Sequence, residues 1–120
     1  MYREAIQHFR KACDLAPDNA ALLMVLGHAL ALSGDVQGAK AILTKLQDMS
    51  RQRYVPVLYL AGIHVGLGDY EQAFKEMDRA VLEHDDRLIY LAVEPMADPL
   101  RSDPRFPLLL AKIHPERIKH

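Results

Sequence analysis

Six histidines and a single cysteine are the side chains of this 120-residue chain best suited to move a proton, hold a metal or attack a carbonyl. His8, His28, His64, His84, His114 and His120 include no pair three or four residues apart, the spacing that sets two ligands on one helical face. His28 and His64 are separated by 34 residues. A chain folding back with that period would bring them together as a ligand or proton-sensing pair. The plainer reading is two histidines hydrogen-bonded separately. His84-Asp85-Asp86 has the composition of a triad fragment, yet a helix end followed by capping acids accounts for it. Cys13 falls on the apolar side of a helical stretch and reads as a small buried hydrophobe rather than a reactive thiol. One cysteine leaves no internal disulfide. Gly34-Asp35 and Gly68-Asp69 lack the Lys-Ser or Lys-Thr that completes a phosphate loop. The expectation is a protein that is not an enzyme, with no catalytic, metal or cofactor-binding residues.

The composition agrees with a folded protein. Half the residues are hydrophobic and 26% charged, which places the chain with folded rather than disordered sequences. The net charge is −1, with acids and bases interleaved in both halves, so no basic face for nucleic acid or an anionic membrane is expected. The first residues contain no apolar signal core. No window reaches the ~18 apolar residues of a membrane span. A cytoplasmic location is the reading that follows.

Helical periodicity supplies the elements that must position these side chains. Residues 2–16 repeat Ala5, Ile6, Phe9, Ala12, Cys13 and Ala16 at three- and four-residue steps, and Pro17-Asp18-Asn19 stops them. A second helix, 19–33, is apolar almost all round and must be covered on more than one face. Gly34 closes it and Asp35 caps a third, 36–49, which turns Ala39, Ile42, Leu43 and Leu46 inward. A fourth runs from Pro56 to Leu67, Gly68-Asp69 repeats the stop and start, and a fifth covers 69–84. A short helix, 86–93, is stopped by Pro95. Asp98-Pro99 and Asp103-Pro104 each place a capping acid before a proline, predicting two further helix starts. The last helix is 104–113, with Pro115 ending it and Glu116 to His120 frayed.

Gly34-Asp35 and Gly68-Asp69 recur at a period of 34, as do Ala5, Ala39 and Ala73. On these residues the chain resembles the tetratricopeptide repeat family, whose units pair a helix A with a helix B. The resemblance implies an all-α fold, a right-handed solenoid of antiparallel helix hairpins with a C-terminal capping helix. The array would span 1–87, as helix B of a partial first unit (1–19), a unit at 20–53 and a unit at 54–87. Residues 88–120 would form the capping segment, with Leu100, Phe106 and Leu110 over the last repeat. Gly27 would face Ala39, and Ala61 face Ala73, where paired helices cross closely. A second resemblance rests on Arg53-Tyr54-Val55-Pro56, Gly66-Leu67-Gly68-Asp69, Leu88-Ile89-Tyr90-Leu91 and the run Asp98 to Phe106. These are similar to the C-terminal end of such arrays in bacterial multidomain signalling proteins. That implies the regulatory end of a transcription regulator or cyclase.

The family's concave positions fall here on Met24, His28, Ala31, Val55, Leu58, Tyr59 and Gly62, with Ala21, Val25 and Val65 beside them. The resemblance therefore implies a groove for an apolar peptide or helix of a partner protein, open or filled by the chain's own C-terminal helix. The lysines and asparagines with which chaperone-binding relatives hold a peptide carboxylate are absent from these positions. The first helix has no preceding partner, so Ile6, Phe9 and Cys13 are expected to lie uncovered and to support a homodimer.

Overall fold

Each helix of the chain begins or ends where a small set of residues dictates. The computed structural model describes residues 2–113. α1 (Tyr2–Leu15) is followed by α2 (Ala20–Leu32), whose first turn is capped by Asn19 accepting from the Leu22 N–H at 3.1 Å. α3 (Val36–Ser50) is capped by Asp35, which accepts from the Gly38 N–H at 2.8 Å. α4 (Val57–Gly66) begins just after Pro56, which stands at the cap rather than inside the first turn. α5 (Tyr70–Leu82) is capped by Asp69, accepting from the Gln72 N–H at 3.2 Å. No strand occurs among the described residues.

α2 pairs with α3 and α4 with α5, while α2 and α4 lie side by side and α1 packs on α2. This is the expected all-α helical repeat. Ala39 and Ala73 are fully buried. Gly27 does meet α3, through Ile42 at 3.1 Å from a β-carbon placed there, but the side chain nearest to it is Ile63 of α4 at 2.8 Å. A branched side chain from the next hairpin therefore fills the notch that Gly27 leaves. One core gathers Leu23, Leu26, Leu30 and Leu46 with Ile63; the other gathers Phe74, Met77 and Ala80 with the C-terminal segment.

The two Gly-Asp turns share one geometry. Gly34 has φ +93° and Gly68 φ +78°, the left-handed conformation that closes a helix. The Gly34 N–H donates to the Ala31 carbonyl and the Asp35 N–H to the Leu30 carbonyl, at 3.1 and 2.9 Å. Gly68 and Asp69 repeat this onto Val65 and His64. A third copy closes α5 with a different residue: His84 takes φ 56°, and His84 and Asp85 donate to Val81 and Ala80. The His84-Asp85-Asp86 triplet is thus a helix stop.

Beyond that stop the chain departs from the expected α-helix. Residues Asp86–Val93 and Pro95–Leu100 form two successive 3-10 helices. Asp98 does not start a helix, because Pro95 and Glu94 have already opened and capped the second one; Asp98 instead accepts from Arg101 Nε at 2.8 Å. Asp103 does take the expected role, accepting from the Arg105 N–H at 2.9 Å at the start of α6 (Arg105–Ile113). Leu100, Phe106 and Leu109 are buried against the last hairpin, with Leu110 packed beside them. Arg105 lies 4.5 Å from the centre of the Phe74 ring, and Lys112 donates to Asp78 at 3.2 Å. The expected stop at Pro115 and the tail Glu116 to His120 lie outside the described residues.

A left-handed backbone costs a residue with a β-carbon about 1–2 kcal/mol. His84 is exposed, and its side chain makes no hydrogen bond among the described residues. Replacing it by glycine should raise stability by about 1 kcal/mol, read as a higher urea midpoint at unchanged slope.

Candidate functional site

α2 and α4 approach closely because α4 carries glycine where the two helices face each other. A β-carbon on Gly66 would lie 3.0 Å from His28 Nδ1 and 3.1 Å from Ala31, and one on Gly62 2.8 Å from Met24 Sδ. Into this seam His28 Nδ1 donates to the Gly62 carbonyl oxygen at 2.8 Å. The seam is the floor of a cleft of roughly 490 Å³. Met24 and Val25 of α2 form one wall, and Leu58, Tyr59 and Val65 of α4 the base. Tyr90 and Leu91 of the first 3-10 helix, then Met96, Ala97 and Leu100 of the second, form the opposite wall. The volume falls within the range of pockets that hold a ligand or a few peptide side chains.

Among the described residues, the C-terminal segment walls this cleft and does not fill it. No α6 residue lines it; α6 packs on α5 and the first 3-10 helix. The second 3-10 helix packs on α4, and the first packs on the second and on α6. Three methionines, Met24, Met77 and Met96, give the lining adaptable, polarizable surface.

Of the groove residues expected from sequence, Met24, Leu58, Tyr59 and Gly62 come together in the cleft. His28, Ala31 and Val55 are corrected: all three are buried and none lines it. His28 and Ala31 are taken up by the close approach to Gly66, and Val55 by the core beneath α2. The cleft's far wall was missed, Arg87 included. It lies outside the helix A positions from which the groove is read, so the 34-residue register does not point to it.

His28 and His64 do not meet. His64 Nδ1 donates to Glu76 Oε1 at 2.6 Å between α4 and α5, with both side chains nearly enclosed. Gln72 Nε2 donates to the other Glu76 oxygen at 3.4 Å. Burial by itself lowers the His64 pKa, but the Glu76 hydrogen bond and charge, then the Asp69 charge, outweigh it and hold the pKa above its ordinary value. Cys13 is buried, and burial pushes its thiol pKa up, away from reactivity. The expectation that Cys13 lies uncovered is therefore corrected, while Ile6 and Phe9 are half-buried against the first core. Among the described residues no three of His, Cys, Asp or Glu gather as metal ligands, and no helix is long and apolar enough to cross a membrane.

A family model for the tetratricopeptide repeat matches residues 1–55 and again 30–93. The chain belongs to the tetratricopeptide repeat family. Those matches run through α1 to α5 and the first 3-10 helix, the elements that supply the floor of the cleft and part of its far wall. Among curated proteins and among solved structures, none matches the chain. As a tetratricopeptide repeat protein it is a protein–protein interaction module in the general sense, of a kind whose repeats are typically non-catalytic scaffolds.

The buried pair between the hairpin helices carries a pH signature. With the folded pKa of His64 above its unfolded value near 6.5, the pair's stabilisation is complete below that value and is lost as pH rises through the folded pKa. In Glu76→Gln the largest of the forces raising that pKa, the Glu76 hydrogen bond and charge, are removed. The stability difference between wild type and Glu76→Gln should therefore shrink as pH rises from below 6.5 through the folded pKa of His64, measured by urea midpoints. A difference that is flat or grows over that range would contradict the assignment.

Proposed function

We propose that this protein is a non-catalytic scaffold that binds an apolar peptide or helix of a partner protein in the cleft between α2, α4 and the 3-10 segment. The observation that carries this reading is the apolar cleft itself. The close α2–α4 seam opens it, and a methionine-rich wall lines it. A soluble domain that leaves such a surface open beside a buried core is presenting a contact face. An amphipathic helix or extended segment would place apolar anchors against Met24, Leu58 and Met96 and leave its polar side to solvent.

Met24→Glu should abolish retention of a partner from cell extract, and Tyr59→Ala should weaken it about tenfold or more, with the helical circular dichroism and urea midpoint kept close to wild type. Full retention by both variants would remove the cleft from the account.

We propose self-association through α1 as a second property, favoured by one observation. Ile6 and Phe9 keep partial exposure on the same helix that exposes Tyr2. Two copies could cover these residues in a two-fold contact. Light scattering should then give twice the 13.6 kDa of one chain, and Phe9→Glu should return the single-chain mass. A single-chain mass for the wild type would exclude it.

A further inference from the structure

Arg87 is the one basic side chain among the described residues lining the cleft. It stands at the start of the first 3-10 helix, outside the A-helix positions from which the family's groove is read. Its guanidinium lies 5.5 Å from the centre of the Tyr59 ring, so cation–π attraction sets it against the cleft's base. From behind, Asp85 Oδ1 accepts from Arg87 Nη1 and from the Arg87 backbone N–H, both at 3.0 Å. The two partners differ sharply in access: the Asp85 side chain is 1% exposed and the Arg87 side chain 50% exposed. A ligand in the cleft therefore meets the cation and not the carboxylate that orients it. A guanidinium has five N–H donors, and one of them is taken by Asp85. Those turned to solvent keep the planar geometry that suits a carboxylate.

The other charged residue of the lining, Glu94, stands beyond Tyr90 and Leu91 on the far wall. Its Oε1 accepts from the Met96 N–H at 3.2 Å and caps the second 3-10 helix. The cleft thus presents a cation and an anion separated by apolar surface. Such a site favours a ligand with its negative group at the Arg87 position over one that is acidic throughout.

We infer that Arg87 reads an acidic side chain of the bound segment, and that the partner peptide carries an Asp or Glu close to the apolar residue that enters the cleft. This rests on the proposal that the cleft is a peptide site. Asp85 is a positioning residue in this arrangement: it fixes the guanidinium and remains out of the ligand's reach.

The test begins with a random dodecapeptide phage library selected on the full chain. The best peptide is then titrated, as synthesised and with its acid changed to the amide, against wild type, Arg87→Gln, Arg87→Lys and Met24→Glu. Selected peptides should pair an apolar anchor with an acid. The acid-to-amide change should weaken binding to wild type about tenfold, the scale of one charge-assisted hydrogen bond, and leave binding to Arg87→Gln unchanged. Arg87→Lys keeps a charge opposite Asp85 but loses the planar fork, and should retain part of the acid preference. Peptides released by Met24→Glu yet indifferent to the acid would overturn the role of Arg87 while leaving the cleft as the site. Peptides indifferent to Met24→Glu would overturn both. A chain that scatters as a dimer only until Met24→Glu is introduced would give the cleft to a second copy, and would also overturn the inference.

Discussion

The approach of α2 to α4 is the contact on which the rest of the molecule depends. Two glycines one helical turn apart, Gly62 and Gly66, carry no side chain of their own, so Met24, His28 and Ala31 of α2 lie directly against the α4 backbone, and His28 closes the seam by donating to the Gly62 carbonyl at 2.8 Å. If either glycine carried a larger side chain, α4 would stand off from α2, and Leu60, which packs against both cores, would bridge them less well. The cleft floor would also fill. The same absence of side chains thus joins the hairpins and makes room for a ligand above them. A buried imidazole at such a place is a structural hydrogen-bond donor, and an apolar replacement would leave a helix carbonyl and a void behind it.

The turns make this seam reproducible along the chain. Left-handed residues at Gly34, Gly68 and His84 each reverse a helix with the same pair of backbone bonds, and Asp35, Asp69 and Asp85 each begin the next element. After the third reversal the device yields something new. Asp85 opens a tight 3-10 helix rather than another α-helix, and prolines at 95 and 99 keep the following segment from forming regular α-helical hydrogen bonds. The solenoid therefore ends in a thin wall of two 3-10 helices, and α6 ties that wall to α5. A full helix in its place would bring its own apolar face into the cleft; the thinner segment leaves the cleft open.

The repeat was legible in the sequence because its signals are local. A Gly-Asp pair and an alanine four residues after the Asp are read from neighbours along the chain, and their period fixed the register of Met24, Leu58 and Tyr59. What was not legible depended on contacts between distant segments. Gly27 looked like the partner of Ala39, but Ile63 from the next hairpin reaches it first. His28 and Ala31 occupy groove positions by register, yet the glycines opposite draw them into the seam. The spacing of Gly62 and Gly66 was the available signal for this, since two small residues one turn apart mark a close helix crossing. Arg87 could not be placed in the groove by register, because it is the last residue of the 54–87 unit and stands outside the helix A positions from which the groove is read. Its Asp85 partner two residues earlier was visible, but a capping acid beside an arginine is common and says nothing of a cleft.

The account stands most directly on where a bound segment touches the chain. With the methionine methyl groups labelled with carbon-13, Met24, Met77 and Met96 report from the cleft, and Met49 reports from the far side of α3. Adding a cleft-selected peptide should shift the first three resonances, with Met24 and Met96 moving most, and leave Met49 in place. Shifts confined to Met49, or saturable binding that moves none of the cleft methyls, would contradict the claim that the α2–α4 cleft is the contact face.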